Sequence, residues 1–368
     1  MRLIISGGGT GGHIYPAVAI LEEFKKRYEY IEILYMGTKD SMEEKIASNM
    51  NLNFKSIRVK GLPRKLNKNS VIAIKELIIG LNQAKKIIRD FQPDIVIGTG
   101  GFVSGPVLFR AATMGYKTMI HEQNSLPGLT NRILSRYVDC VAVTYESSKS
   151  YFKKPERVKV TGNPIRSNFN EKRGSKDSYI KYGLKDDKPI IFSFGGSNGS
   201  EDLNKAMAGL IKEYSIDLEF QIIHATGESH YDAFMKEIQG FDDNAIKVLP
   251  YIHDIASAYD ISDLVITSSG AITLAELSLL GIASILIPKA YTTENHQEYN
   301  ARLYMDIGAS EMILEDELNS DLLYNKIAKL LENESTLSIM GENAKKLGNP
   351  NATSDIVDIA VSLLENKR

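Results

Sequence analysis

Short runs of apolar and β-branched residues alternate with longer amphipathic stretches along the chain. The first series is typical of buried strands and comprises Leu3–Ser6, Ile31–Met36, Phe54–Val59, Ile95–Thr99, Thr118–His121 and Val141–Thr144. A second series comprises Ile190–Phe194, Phe220–His224, Ile246–Leu249, Leu264–Thr267 and Ser284–Ile287. The stretches between them, such as Ala17–Tyr28 and Val71–Arg89, show helical spacing. Strands that alternate with helices in this way predict parallel sheets and an α/β fold.

The restart of the alternation predicts two doubly wound domains. A chain of 368 residues agrees, because domains usually close at about 100–200 residues. The turn at residues 162–164 is the predicted boundary, giving an N-terminal domain over 1–163 and a C-terminal domain over 164–349. A final helix within 350–368 could pack on either domain. Ligands bind beyond the carboxyl ends of parallel strands, so we expect the site in a cleft between the domains.

Three glycine-rich loops follow predicted strands, at residues 7–12, 98–105 and 195–199. Glycine lets the backbone approach a ligand closely, and the helix N-terminus that follows attracts phosphate. The first loop matches the Gly-x-Gly-x-x-Gly pattern of dinucleotide enzymes, but no acidic residue stands convincingly at the tip of the second strand. It also lacks the Gly-Lys-Ser/Thr ending of a P-loop. These loops predict a large or phosphate-bearing ligand and disfavour an ATPase or GTPase.

Polar residues of the second half extend this prediction to a nucleotide sugar. Glu276 follows the turn at 268–270, where a carboxylate can accept hydrogen bonds from ribose hydroxyls. Gln297 and Asn300 open a further helix and are expected to recognise sugar hydroxyls. The chain contains no Asp-x-Asp pair to anchor a divalent ion. We therefore predict no metal, with helix N-termini and Arg166 stabilising the diphosphate.

Composition and charge restrict the cellular setting. Hydrophobic residues make up 43% of the chain and charged residues 24%, as in ordinary globular proteins. The lone Cys140 lies in an apolar run and is expected to be buried, in a reducing compartment. No stretch resembles a signal peptide or a membrane span. The sequence therefore predicts a cytoplasmic protein, attached at most to a membrane surface.

Seven ordered motifs resemble those of the MurG family, which transfers N-acetylglucosamine from its UDP-sugar to undecaprenyl-pyrophosphoryl-N-acetylmuramoyl-pentapeptide. They begin with the Gly-Gly-Thr-Gly-Gly-His-Ile-Tyr-Pro segment at 8–16 and the Gly-Gly-Phe-Val-Ser-Gly-Pro segment at 100–106. His-Glu-Gln-Asn at 121–124, Gly-Asn-Pro-Ile-Arg at 162–166 and Gly-Gly-Ser at 195–197 follow. The last two are residues 269–276 and His296-Gln297. Ser200 departs from the family, which commonly has alanine there.

The resemblance implies a GT-B fold and an inverting, metal-independent hexosyltransferase that converts lipid I to lipid II in peptidoglycan synthesis. It implies that the C-terminal domain holds UDP, with the Ile252 main chain at the uracil and Glu276 at the ribose. Ser197 and Arg166 would contact the diphosphate. The remaining implied donor contacts are Ala271, Ile272, Thr273, Leu274 and Ala275, Gln297 at the sugar, and Thr10, Gly11, Gly12 and Asn124 from the N-terminal side. The acceptor pyrophosphate would lie against the first two glycine loops, including Gly100, Gly101 and Ser104.

Inversion requires a base that takes the proton of the acceptor hydroxyl. His13 is the first candidate, because it begins a helix beside the expected site and histidine titrates near neutral pH. Glu122 is the rival base. A structural role for His13, or binding of acceptor phosphate, stays open.

The N-terminal half carries the charge expected of a protein that meets an anionic surface. Residues 1–163 contain 25 Lys and Arg against 14 Asp and Glu, whereas the remainder contains 19 against 32. On a helix over 71–89, we expect Ile74, Leu77, Ile78 and Leu81 to form the core stripe. Ile72 and Ile79 would then be exposed, and together with Lys65, Lys68 and Lys75 they would contact an anionic membrane. Nucleic acid is disfavoured because stacking aromatic residues are missing.

Three other functions share parts of this pattern. A glycosyltransferase with another lipid acceptor would share the donor site. A UDP-sugar epimerase would need no acceptor, and a non-catalytic protein would bind the UDP-sugar without turnover. His13, Glu122 and both N-terminal glycine loops argue against the last.

Overall fold

The computed structural model describes residues 1–61, 68–165, 169, 173–214, 218–241 and 244–365, with backbone only at 68, 69, 293 and 334. Arg166, Lys65 and the side chain of Lys68, which carry sequence predictions, therefore lie outside the described residues. The chain divides into two compact units. The first comprises Met1–Arg166 and Asn349–Arg368, and the second comprises Ser167–Gly348.

Seven parallel strands form the sheet of the first unit. They are β1 (Arg2–Gly7), β2 (Glu32–Gly37), β3 (Asn53–Ser56), β4 (Ile95–Gly100), β5 (Lys117–Glu122), β6 (Cys140–Val143) and β7 (Val158–Val160). Their spatial order is β3-β2-β1-β4-β5-β6-β7. The sequence pattern missed β7, a three-residue edge strand in which only Val158 is buried. The predicted parallel sheet is confirmed.

Helices cover both faces of this sheet, as a buried parallel sheet requires. One face carries α1 (Gly11–Arg27), α2 (Met42–Asn49) and α14 (Ala352–Glu365); the other carries α3 (Lys68–Phe91), α4 (Ser104–Thr113) and α5 (Leu129–Leu134). Successive side chains of β1 point to opposite faces of the sheet and so pack against the two layers of helices in turn. Leu3 and Ile5 pack with α1 and α14, and Ile4 packs toward α3 and α4.

The last helix, α14, belongs to the core of the first unit. Ile356, Val357 and Ala360 are fully buried with residues of β1 and α1. Arg27 of α1 forms an ion pair with Asp358 and donates a hydrogen bond to the Ser354 carbonyl. The final helix of the chain therefore completes the first unit.

Six parallel strands form the sheet of the second unit. They are β8 (Ile190–Phe194), β9 (Gln221–Ala225), β10 (Ile246–Leu249), β11 (Leu264–Thr267), β12 (Ala283–Leu286) and β13 (Ser310–Met312), in the order β10-β9-β8-β11-β12-β13. Its helices are α6 (Lys176–Tyr182), α7 (Glu201–Tyr214), α8 (Tyr231–Glu237), α9 (Ile255–Asp260), α10 (Ala271–Leu280), α11 (His296–Asp306), α12 (Ser320–Leu331) and α13 (Glu334–Lys345). Together, the two sheets confirm the predicted α/β fold.

Each sheet reverses its strand order at one place, between β1 and β4 in the first unit and between β8 and β11 in the second. Ligands of doubly wound sheets bind at such switch points, because adjacent loops there turn to opposite faces and leave a crevice. The loops predicted to carry chemistry follow these four strands.

Helix α3 turns a different face to the core from the one predicted. Ala73, Gly80, Ala84 and Ile88 are buried and Leu77 is half-buried, whereas Ile74 and Ile78 are 48% and 56% exposed. The prediction of Ile74 and Ile78 as core residues is wrong. The prediction of an exposed Ile79 is also wrong, since its side chain is half-buried. Small residues face the sheet because the helix packs closely: a Cβ on Gly80 would lie 2.2 Å from the Arg58 carbonyl oxygen.

Candidate functional site

The first two glycine loops of the first unit contact each other directly. Thr99, at the end of β4, donates from Oγ1 to the His13 carbonyl oxygen at 2.6 Å. A Cβ on Gly7 would lie 1.9 Å from Thr99 Oγ1, and a Cβ on Gly101 would lie 2.1 Å from the Gly8 carbonyl oxygen. Both contacts are closer than any side chain allows. The two loops therefore form one surface, and glycine is required for it.

The imidazole of His13 lies against this surface. His13 is the third residue of α1 and is half-buried. Its Nδ1 is 3.1 Å from the Thr99 carbonyl oxygen and 3.2 Å from Oε1 of Gln123. A Cβ on Gly100 would lie 2.7 Å from the same nitrogen. The structure thus brings the predicted base together with Gly100 and Gly101, two of the predicted acceptor contacts.

The third predicted acceptor residue, Ser104, is fully buried and donates to the Gly101 carbonyl oxygen at 3.0 Å. It supports the second loop from beneath. Thr10 precedes α1 as its N-cap and makes no side-chain capping bond, and the first turn has no acidic residue. The positive end of α1, at Gly11 and Gly12, is therefore available to an anion.

Glu122, the rival base, is 1% exposed and organises the loop after β5. Its Oε1 accepts from the backbone and side-chain nitrogens of Asn124, at 3.0 and 3.1 Å. Its Oε2 accepts from Gly128 N at 3.0 Å and from Asn131 Nδ2 at 2.9 Å. Four hydrogen bonds hold both oxygens of this carboxylate in place, which is typical of a structural residue. Between the two candidates, this geometry favours His13 as the base.

A second buried carboxylate, which the sequence analysis missed, lies beneath the first loop. Glu43 of α2 is 1% exposed. Its Oε1 accepts from Thr38 N and Oγ1 at 3.1 and 2.8 Å, and its Oε2 lies 3.5 Å from Gly9 N. A Cβ on Gly8 would lie 2.6 Å from Oε1. No motif marks Glu43, since only the fold brings α2 under the loop.

In the second unit, the loop after β8 presents Ser197 to solvent. Ser197 and Asn198 are exposed, while Gly199, with φ of 75°, packs against Thr226. Ser200 begins the turn into α7, and its Oγ accepts from Leu203 N at 3.4 Å. The serine that departs from the family pattern therefore acts as a helix cap.

The loop after β11 leads directly into α10. Gly270 is the N-cap of α10, which has neither a side-chain cap nor an acidic residue in its first turn. The first turn of α10 comprises Ala271, Ile272 and Thr273, with Leu274 and Ala275 following. A diphosphate is the kind of group that such a helix end attracts.

Glu276 lies on α10 with its carboxylate held by a buried tyrosine. Tyr259 is fully buried and its hydroxyl donates to Glu276 Oε2 at 3.1 Å. Burial, with the neighbouring carboxylate, raises the pKa of Tyr259 well above its usual value, so it remains a donor. Ile252, on the loop before α9, is half-buried against the same cluster. Ile252 and Glu276 therefore both contact one cluster around Tyr259.

Lys289 connects the glycine loop of this unit to Gln297. Its Nζ donates to the Gly199 carbonyl oxygen at 2.8 Å, and its backbone N donates to Gln297 Oε1 at 2.9 Å. Burial lowers the pKa of Lys289. Because Oε1 of Gln297 accepts this bond, its Nε2 is the polar atom it can present to a ligand. Asn300, also predicted to recognise sugar, is fully buried and donates to the Ser269 carbonyl oxygen at 3.2 Å.

Comparison with known proteins gives one consistent result. Residues 3–143 match the glycosyltransferase family 28 N-terminal domain, and residues 190–356 match the glycosyltransferase family 28 C-terminal domain. A relative from Finegoldia magna is 52% identical over 99% of both chains. It bears the name UDP-N-acetylglucosamine--N-acetylmuramyl-(pentapeptide) pyrophosphoryl-undecaprenol N-acetylglucosamine transferase. The chain belongs to the MurG family.

Two further proteins support this membership. A relative of the same name from Acetivibrio thermocellus is 47% identical and covers 100% of this chain. The crystal structure of Acinetobacter baumannii MurG superimposes with a TM-score of 0.79 at 27% identity, over 98% of this chain and 99% of the other. The predicted GT-B fold and the predicted MurG membership are both confirmed.

Two features of the described residues bear on the remaining predictions for this MurG-family chain. No group of three or more His, Cys, Asp or Glu side chains in that part of the chain is arranged to hold a metal ion. None of the helices described combines the length and apolar character needed to cross a bilayer. Metal independence and membrane contact stay predictions.

Proposed function

We propose that this protein transfers N-acetylglucosamine from UDP-N-acetylglucosamine to undecaprenyl-pyrophosphoryl-N-acetylmuramoyl-pentapeptide, which converts lipid I to lipid II in peptidoglycan synthesis. The observation that carries the proposal is the full-length similarity to transferases of that name, at 52% identity over 366 residues. The geometry of His13 and of the four switch-point loops supports it.

The reaction we propose has balanced bonds and one proton transfer. The 4-hydroxyl oxygen of the muramoyl group attacks the anomeric carbon, the bond from that carbon to the β-phosphate oxygen breaks, and UDP leaves with the electron pair. His13 takes the hydroxyl proton as the new bond forms. Attack from the side opposite to the leaving group inverts the anomeric centre.

The donor is assigned to the second unit. The N-terminus of α10, together with Ser197 and Arg166, would stabilise the charge that develops on the diphosphate, without a metal ion. Glu276 would bind the ribose, the Ile252 main chain the uracil and Gln297 the sugar. Thr10, Gly11, Gly12 and Asn124 are the donor contacts proposed for the first unit.

The proposed function predicts sugar transfer from radiolabelled UDP-N-acetylglucosamine to a short-chain lipid I analogue, with EDTA present. We expect labelled disaccharide product in the native protein, and a loss of roughly 100-fold or more in turnover for His13→Gln, since general bases contribute about 10²–10⁴-fold. Binding of UDP should be unchanged in the variant.

Three outcomes would contradict parts of the proposal. Tight binding of UDP-sugar without product would exclude lipid I and favour another lipid acceptor. Product that disappears with EDTA would contradict metal independence. Near-normal turnover of His13→Gln would remove His13 as the base.

We also propose that the first unit contacts the cytoplasmic face of an anionic membrane through the α3 patch, defined as Val71, Ile72, Ile74, Lys75 and Ile78. The four apolar side chains are 70%, 45%, 48% and 56% exposed. Lys75, with Lys85 and Lys86 further along the helix, is exposed. Apolar side chains beside lysines on one helix suit a surface of anionic lipids. Because the proposed acceptor carries a lipid tail, such contact would bring the protein to the membrane that holds its acceptor.

Vesicle binding tests the α3 patch. In Ile74→Ser/Ile78→Ser, partition onto vesicles of phosphatidylglycerol and phosphatidylcholine should fall roughly 10-fold or more, because each buried methylene contributes about 0.8 kcal/mol. Ile180→Ser, which changes a 76% exposed isoleucine in the second unit, is the matched control and should bind as the native protein does. Equal binding of all three proteins would exclude the patch.

A further inference from the structure

A buried amide lies between two histidines of the first unit. Gln123 is 1% exposed and directly follows β5. Its side-chain nitrogen is 2.8 Å from the Thr99 carbonyl oxygen and 3.1 Å from Nδ1 of His121, and its oxygen is 3.2 Å from Nδ1 of His13. His121 in turn lies 2.9 Å, through Nε2, from the Gly162 carbonyl oxygen. These groups form one chain of hydrogen bonds.

The direction of each hydrogen bond follows from the Gly162 carbonyl, which can only accept. Nε2 of His121 must therefore carry a proton. Burial lowers the pKa of His121 to about 4, so the ring is neutral and its Nδ1 is an acceptor. Only the amide nitrogen of Gln123 can donate to that Nδ1, which fixes the orientation of the amide.

The amide orientation then determines the tautomer of His13. With its nitrogen directed to Thr99 and His121, Gln123 presents its oxygen to His13. Nδ1 of His13 thus faces two acceptors, the Gln123 oxygen and the Thr99 carbonyl oxygen. Neither can donate, so Nδ1 carries the proton of the neutral ring. The basic lone pair of His13 is then on Nε2.

We propose that Gln123 is a positioning residue that holds the proton of His13 on Nδ1 and thereby makes Nε2 the basic atom. A fixed tautomer and ring orientation are what a general base requires, and an acceptor on the far nitrogen supplies both. Here a neutral amide occupies the place that a carboxylate takes in a Ser-His-Asp triad. The catalytic consequence rests on the proposed function, in which His13 is the base, but the tautomer itself does not.

The neighbouring titratable groups leave this role to Gln123. Glu43 from α2 is bonded to Thr38 and Gly9, and Glu122 from β5 is bonded to Asn124, Gly128 and Asn131. Among the described residues, Nδ1 of His13 contacts the Thr99 carbonyl oxygen and the Gln123 amide oxygen, whereas both carboxylates are held by these other donors. His121 reaches His13 only through the Gln123 amide.

Nitrogen NMR of protein labelled with ¹⁵N-histidine tests the tautomer without any substrate. We expect the His13 signals, assigned by their absence in His13→Gln, to show a protonated Nδ1 and an unprotonated Nε2 at neutral pH. The opposite pattern, or a rapid average of both tautomers, would overturn the proposal. This readout stays valid even if the acceptor is a different lipid.

Kinetics of two variants test the consequence. Gln123→Leu removes the acceptor, and kcat should fall roughly 10- to 100-fold while KM for UDP-N-acetylglucosamine changes little, because the main donor contacts are on the second unit. Gln123→Glu restores an acceptor with a charge, so it should recover part of kcat. It should also move the acidic limb of the kcat/KM profile to higher pH, since a carboxylate favours the charged imidazole.

Gln221→Leu is the matched control. Gln221 is also a buried glutamine, and its amide bonds Lys185 and Lys188 in the second unit. The Gln221→Leu variant should lose stability as Gln123→Leu does, but it should retain the native kcat and pH profile. Equal kcat losses in Gln123→Leu and the control, or an unmoved acidic limb in Gln123→Glu, would reduce Gln123 to a structural role. Absence of transfer in the native protein would instead contradict the proposed function, with the NMR result unaffected.

Discussion

Gly101 and Gly115 both have a left-handed backbone, with φ of 80° and 85°, but their surroundings differ. A Cβ on Gly101 would meet the Gly8 carbonyl oxygen at 2.1 Å and the His13 ring at 3.3 Å, whereas a Cβ on Gly115 would meet nothing within 4 Å. The pair therefore separates the strain of the backbone from the loss of close approach between the two loops.

We expect Gly115→Ala to lower the free energy of unfolding by about 1–2 kcal/mol, the usual cost of a left-handed L-residue, and to leave turnover unchanged. Gly101→Ala should cost more and should reduce turnover by roughly 100-fold, because loop and imidazole must shift together. Denaturant titration and the transfer assay measure the two effects. Similar turnover in the two variants would show that the loop contact is dispensable.

The sequence identified the residues of the loops better than their partners. Gly100, Gly101 and His13 follow from the glycine pattern and the family resemblance, because both rest on short sequence motifs. Gln123 was in view within the His-Glu-Gln-Asn motif, but its role depends on Thr99 and Gly162, which only the sheet brings close. Glu43 and Lys289 had no local signal at all.

Among the elements, α3 shows where periodicity fails. Counting large aliphatic residues assigned Ile74 and Ile78 to the core, yet the helix buries its small residues because the segment after β3, at Arg58, approaches it closely. Periodicity predicts a helix and its amphipathic repeat. It does not show that the face with small residues, and not the face with bulky residues, packs against the core. The strands were predicted more accurately, since parallel strands buried on both faces form continuous apolar runs.

The loop before α11 provides a prediction for the donor site. Lys289→Met removes the bond to the Gly199 carbonyl and frees the loop that carries Ser197, while the backbone bond to Gln297 remains. KM for UDP-N-acetylglucosamine should rise roughly 5- to 10-fold, the equivalent of one hydrogen bond of about 1 kcal/mol, with a smaller change in kcat.

Lys326→Met is the control for Lys289→Met. Lys326 is another partly buried lysine of the second unit, bonded to Glu311 at 2.6 Å and remote in sequence from the glycine loop. Its substitution should leave KM unchanged. A KM for Lys289→Met equal to that of the native enzyme would show that the loop holds its shape without this contact.

At the scale of the whole molecule, each unit buries one neutral histidine in its sheet, His121 on β5 and His224 on β9. Burial lowers their pKa values to about 4 and about 3, against about 6.5 in the unfolded chain. Below pH 6.5 the unfolded state binds more protons, so stability is full above that pH and declines as the pH falls toward 4. The expected loss at pH 5 is about 2 kcal/mol for each unit.

Calorimetry between pH 7 and pH 5 measures this loss as a fall in the unfolding temperature of each unit. His224→Asn should weaken the pH dependence of the second unit, whatever its effect at pH 7. His253→Asn, which changes an exposed histidine, should retain the native pH dependence. A flat response of the native protein over this range would contradict the burial of neutral imidazoles.

Helix α14 has a further consequence during synthesis on the ribosome. The face of the first sheet that Ile356, Val357 and Ala360 cover is translated before the second unit, but the helix that covers it is translated after the second unit. About 180 residues of the second unit separate them, which at about 5–20 residues per second corresponds to about 10–40 s. During that interval the nascent N-terminal sheet keeps an apolar face exposed. The first unit therefore begins its synthesis before the second unit but completes its fold after it.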